Sequence, residues 1–140
     1  DERGIGRIRM RRVPDNSADS LLSFVKEAVK PGSVVLTDGL ASYAGLKEAG
    51  FRHKVKVRGP NPERASKLLP RVHRVASLLK RWLLGTHQGA VSREQLDYYL
   101  DEFTFRFNRR TSRSRGKLFY RLVDQAVSVE PVPFSKLAAS

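Results

Sequence analysis

The chain has 140 residues and is 40% hydrophobic, enough for one domain with a real core and unlike a disordered chain. Lys and Arg number 27 against 14 Asp and Glu, and the formal net charge of +13 points to a polyanionic partner, most often nucleic acid. There is no cysteine, which excludes a disulfide framework and thiolate metal sites, and no apolar run approaches the length of a membrane span.

Ile8 and Met10 alternate with Arg7, Arg9 and Arg11. That period of two, one face apolar and one basic, predicts a strand over roughly 5–13. Pro14 breaks it, and Asp15, Asn16 and Ser17 offer helix caps. Leu21, Leu22, Val25, Ala28 and Val29 then mark an amphipathic helix that stops at Pro31-Gly32. Residues 33–37 form a short apolar run with β-branched side chains, suited to an interior strand covered on both faces. Leu40, Tyr43, Ala44 and Lys47 suggest a short helix before Gly50, and Arg52 to Val57 alternates again as a third strand. Residues 59–69 hold two prolines and read as a loop.

Val72, Val75, Leu78, Leu79, Trp82 and Leu83 recur at helical spacing, so one side of this helix calls for a core. His73 and Lys80 are seven positions apart, two turns, and lie almost in line along its edge, with Ser77 between them. Ser92 and Gln95 have the capping-box spacing, and Val91 with Leu96 has the staple spacing, which predicts the start of the next helix. Leu96, Tyr99, Leu100, Phe103 and Phe107 give it an apolar face that runs into Asn108-Arg109-Arg110. A basic loop over 111–116 leads to a final helix marked by Leu118, Phe119, Leu122, Val123 and Ala126. The expected architecture is a single α/β domain over 1–130 with a helical C-terminal half, followed by an irregular tail over 131–140.

Asp38 follows an apolar strand directly and precedes a glycine. Catalytic groups in open α/β sheets favour the carboxyl ends of strands, although an Asp that caps the next short helix has the same pattern. A lone His beside an apolar face is more often structural than a ligand; here it shares a helix edge with Lys80. Glu94, Asp97, Asp101 and Glu102 read as an exposed acidic face. Arg106, Asn108, Arg109 and Arg110 form a basic helix end, equally suited to the helix dipole and to phosphate. There is no Gly-rich phosphate loop, Ser/His/Asp constellation or zinc spacing.

Taken in order, Pro31-Gly32-Ser33 leading to Thr37-Asp38-Gly39 and Tyr43, then Leu78-Leu79-Lys80-Arg81 with Gly85-Thr86, then Tyr99-Leu100-Asp101-Glu102-Phe103 ending in Arg106-Phe107-Asn108-Arg109-Arg110, form a specific set. The chain resembles the catalytic domain of small bacterial insertion-sequence transposases, which have an RNase H-like fold. The resemblance implies DNA transposition by metal-dependent cleavage and transfer of strands, with two divalent cations held by three residues, usually Asp, Asp and Glu. Asp38 matches the second Asp, and His73 stands at the third position, where a branch of the family carries His or Asn. Carboxylates suit Mg²⁺, and an imidazole shifts the preference toward Mn²⁺. Lys80 matches the family's Lys, which contacts DNA near the cut. Arg81, Arg106, Asn108, Arg109 and Arg110 are the further expected DNA contacts, to transposon ends and target. The implied location is cytoplasmic, at the nucleoid.

No residue matches the family's first Asp: Asp1 lies too near the Arg-rich strand, and Asp15 falls after it. The expectation is therefore an incomplete RNase H-like fold with a mixed sheet of about three strands, starting within a hairpin and inactive as a nuclease on its own. The strand at Arg7 to Arg11 would then be an unprotected edge, open to a second copy of the chain. Two other readings compete: a non-catalytic basic DNA- or RNA-binding module, and a basic structural protein of ribosomal type.

Overall fold

A computed structural model describes residues 4–56, 69–87 and 91–133. The backbone gathers into two compact units, Arg11–Gly89 and a second formed by Asp1–Met10 with Ala90–Ser140.

The first unit opens with helix α1, Ala18–Ala28. Ser17 caps it, its Oγ accepting from the Ser20 amide at 3.3 Å, which satisfies one of the orphan donors of the first turn. Asp15 supports that cap by accepting from the Ser17 amide at 2.9 Å and the Ser20 hydroxyl at 2.7 Å. The Ser17 hydroxyl also donates to this carboxylate, and that bond first, then those from Ser20 and the Ser17 amide, favours the ionised form and holds its pKa below the ordinary 3.8. The apolar face of α1 buries Val25 against Leu46 and Phe51, with Leu22, Val29, Val35, Tyr43 and Ala49 packed around them. Each large side chain in such a cluster contributes about 1.5–3 kcal/mol.

Strand β1, Val34–Thr37, is followed by a 3-10 helix over Ala41–Leu46 and by β2, Arg52–Val55. The two strands pair in parallel, with Val35 opposite His53 and Thr37 opposite Val55. Gly50, at φ +86°, ends the intervening turn in a conformation other residues resist. The face of β1 that bears Val35 and Thr37 lies on the α1 cluster. The opposite face leaves Val34 and Leu36 47% and 41% exposed, so β1 is covered on one side, not on both as its apolar run suggested. Hydrophobic content specifies that a face calls for cover; it does not supply the covering element. Helix α2, Pro70–His87, begins on a proline, whose missing N–H costs nothing in the first turn. Val75 is its buried residue, at 7%, and Leu78, Leu79, Trp82 and Leu83 are half-buried.

In the second unit, α3 spans Leu96–Asn108 and α4 spans Arg115–Val127. Ser92 Oγ accepts from the Gln95 amide at 3.2 Å, as its capping-box spacing predicts, and regular helix follows one residue later. Leu100, Phe103 and Phe107 are buried, the two rings stacked at 5.9 Å.

The strand expected over 5–13 does not form: that stretch has no regular secondary structure, and among the described residues the sheet has two parallel strands instead of about three in mixed order. A ladder needs a neighbouring backbone. Here a side chain takes that place, as Asn108 Oδ1 accepts from the Ile8 amide at 2.7 Å and its Nδ2 donates to the Ile8 carbonyl at 2.9 Å. Arg110 also donates to the Ile5 carbonyl. The predicted loop over 59–69 lies, Leu69 apart, outside the described residues.

Candidate functional site

The end of β1 is built around a glycine. Gly39 has φ +87°, and a Cβ there would sit 2.8 Å from Val55 Cγ1 at the end of β2. Only glycine suits both the left-handed backbone and the close approach. The chain therefore turns sharply after Asp38 and leaves its carboxylate exposed at the carboxyl end of the strand. Asp38 Oδ1 accepts from the Leu40 amide at 3.3 Å, a local turn just ahead of the 3-10 helix, whose own N-cap, Leu40, has no side-chain cap. Tyr43, packed against the α1 cluster, has its phenol pKa raised above 10.0, first by burial and then by the negative charge of Asp38.

Thr37, one residue earlier, is 5% exposed. Its Oγ1 accepts from the Gly39 amide at 3.3 Å and lies 2.8 Å from His53 Nε2 across the parallel pair. His53, read from the sequence only as a strand residue, is thus a structural partner that satisfies a buried hydroxyl.

On α2, His73, Lys80 and Arg81 are all exposed. Seven residues at 1.5 Å each separate His73 from Lys80 by roughly 10 Å along the axis. Ser77, between them, donates its hydroxyl to the His73 carbonyl at 2.9 Å, a local back-bond that accounts for it without a catalytic role.

A carboxylate and an imidazole are suitable donors for a divalent cation, and Mn²⁺ accepts both. Their number falls short, since the described residues contain no group of three or more His, Cys, Asp or Glu that could hold a metal ion. These residues do not by themselves fit a two-metal centre.

The basic residues of the second unit are organised differently. Arg106 pairs with Glu102 at 2.8 Å, one turn away on α3, and both are substantially exposed. The Arg109 guanidinium lies 3.7 Å from the centre of the Phe105 ring and that of Arg110 4.0 Å from Phe107. Arg110 Nη1 donates to the Phe107 carbonyl at 2.8 Å and so neutralises part of the negative end of α3. The Asn108 amide is occupied by Ile8. Of the expected DNA contacts, Lys80 and Arg81 thus belong to the first unit, while Arg106, Asn108, Arg109 and Arg110 belong to the second and already have intramolecular partners. Sequence reasoning passed over Arg7, Arg9 and Arg121 as ligand contacts, although they line a cavity with Arg109. The only available signal was the alternation of Arg7 and Arg9 with apolar residues.

Residues 1–108 match the ISXO2-like transposase domain family, and the chain belongs to that family. No curated protein and no solved structure matches it. Among the described residues, no helix is long and apolar enough to cross a membrane.

Proposed function

We propose that this chain serves DNA transposition by binding the DNA backbone and contributing two ligands, Asp38 and His73, to a metal-dependent phosphoryl-transfer centre of RNase H-like type. The observation that carries the reading is the exposed Asp38 carboxylate at the end of β1, held there by the turn at Gly39, in a chain of the transposase family. Bound Mg²⁺ or Mn²⁺ would supply Lewis-acid chemistry at the scissile phosphate. The chain's own residues bind and orient. Lys80 and Arg81 on α2, with Arg106, Arg109 and Arg110 on and beyond α3, offer cations to phosphates of transposon ends and target. With a net charge of +13, binding of a DNA duplex falls steeply as salt rises.

With two of three ligands, the 140-residue chain binds duplex DNA and does not cut it. Incubation with a supercoiled plasmid and Mg²⁺ or Mn²⁺ tests this: nicking by the chain that disappears in Asp38→Asn would overturn it. The competing reading is a non-catalytic DNA- or RNA-binding module. Paramagnetic Mn²⁺ separates the two. Selective NMR broadening around Asp38 and the His73 ring supports the metal half-site, and uniform weak broadening favours the binding module.

A further inference from the structure

A cavity of about 380 Å³ lies within the second unit, at the end of α3. Its lining includes Arg7, Arg9, Arg109 and Arg121 and contains no acidic residue. Two of its wall groups, Arg109 Nε and Thr104 Oγ1, are buried without a hydrogen-bond partner. Buried polar groups are nearly always paired, so the cavity lies beside a guanidinium whose Nε–H, itself shut off from solvent, is left uncompensated. Arg109 is also pre-set: stacking on Phe105 fixes its plane before any ligand arrives, which reduces the ordering cost of binding. The usual objection to an anion at a helix C-terminus, the negative end of the dipole, is weakened here. Arg109 donates to the Phe105 carbonyl at 3.5 Å and Arg110 to the Phe107 carbonyl at 2.8 Å.

We propose that this cavity is a binding site for a phosphodiester of the DNA backbone, with Arg109 as its fixed fork and Arg7, Arg9 and Arg121 as its rim. Guanidinium groups match phosphate oxygens in pairs, and Thr111 and Ser112, also in the lining, add polar groups beside them. Three of the four arginines are exposed and only Arg109 is half-buried. That gradient suits a polymer passing along the surface more than a small anion enclosed within it. The inference rests on the DNA-binding reading above, and it assigns a contact in the unit that carries neither Asp38 nor His73.

The test uses the 140-residue chain and follows the Nε–H resonance of Arg109 during titration with a short duplex and, separately, with inorganic phosphate. Duplex is expected to shift the resonance to saturation, with little response to phosphate at equal phosphate concentration. Arg121→Ala, an exposed change on α4, should weaken duplex binding about tenfold and lower the salt slope by about one. Arg121→Lys should restore the slope, and Lys117→Ala, on the same helix outside the cavity, should change neither binding nor the resonance. Arg7→Gln provides a second rim variant, expected to act as Arg121→Ala does. A shift with phosphate but none with duplex would make the cavity a small-anion site and overturn the assignment. Tight duplex binding with a stationary Arg109 resonance and an unaffected Arg121→Ala overturns the site while leaving DNA binding intact. Failure to bind duplex at all overturns both.

Discussion

The two units hold their polar side chains in opposite ways. In Arg11–Gly89, Asp38, His73 and Lys80 are exposed, and the Asp38 carboxylate accepts a local bond from the Leu40 amide. In the other unit, Asn108 and Arg110 are tied to Ile8 and Ile5, about a hundred positions away in the chain, and Arg109 is stacked on a ring. The first arrangement leaves its donors accessible. The second gathers cations and fixes them, at the cost of engaging some of the same groups that could meet DNA. Preorganisation lowers the ordering cost of binding, so the unit with the built cavity is the better candidate for firm phosphate contact, and the strand-end Asp the better candidate for chemistry.

The contrast between the two units is tested most severely at Leu46, fully buried in the α1 cluster. Leu46→Ala should cost about 2–5 kcal/mol. Hydrogen exchange is expected to lose protection in β1 and β2 while α3 keeps its own; equal loss in both would show that the units unfold as one block.

A smaller effect is expected at Asn108. Asn108→Leu removes two hydrogen bonds to Ile8, together worth about 1–3 kcal/mol, and should release the stretch around Ile8 while leaving β1 and β2 unchanged. Exchange of the Ile8 amide reads this directly, and unchanged protection would mean that the stretch is held by something other than the amide.

The smallest and most local effect joins Tyr43 to Asp38. Burial and the neighbouring carboxylate both disfavour tyrosinate, so the folded state holds the phenol proton more tightly than the unfolded chain. Any stability from this group is therefore fully present below pH 10.0 and is lost as pH rises through the higher folded value. Asp38→Asn removes the weaker of the two causes, and the ultraviolet titration of Tyr43 should move down yet stay above the ordinary range. A midpoint unmoved by the substitution would separate Asp38 from the tyrosine.

Much of the molecule was legible in the chain itself, because helices and caps are local. The period of α1, the Ser92–Gln95 bond just ahead of α3, the apolar run of β1 and the His73–Lys80 edge of α2 all depend on residues within a few positions of one another. Sequence order was likewise enough to suggest the transposase family. What it missed depended on distance. Alternation at Arg7 to Arg11 specified two faces but no neighbour, and the backbone there met the Asn108 side chain in place of a strand. Arg121 was one basic residue on an amphipathic helix until the fold brought it to the same cavity as Arg7, Arg9 and Arg109. A hydrogen bond or a shared anion site needs groups within a few ångströms of each other, and for residues a hundred positions apart only tertiary structure provides that.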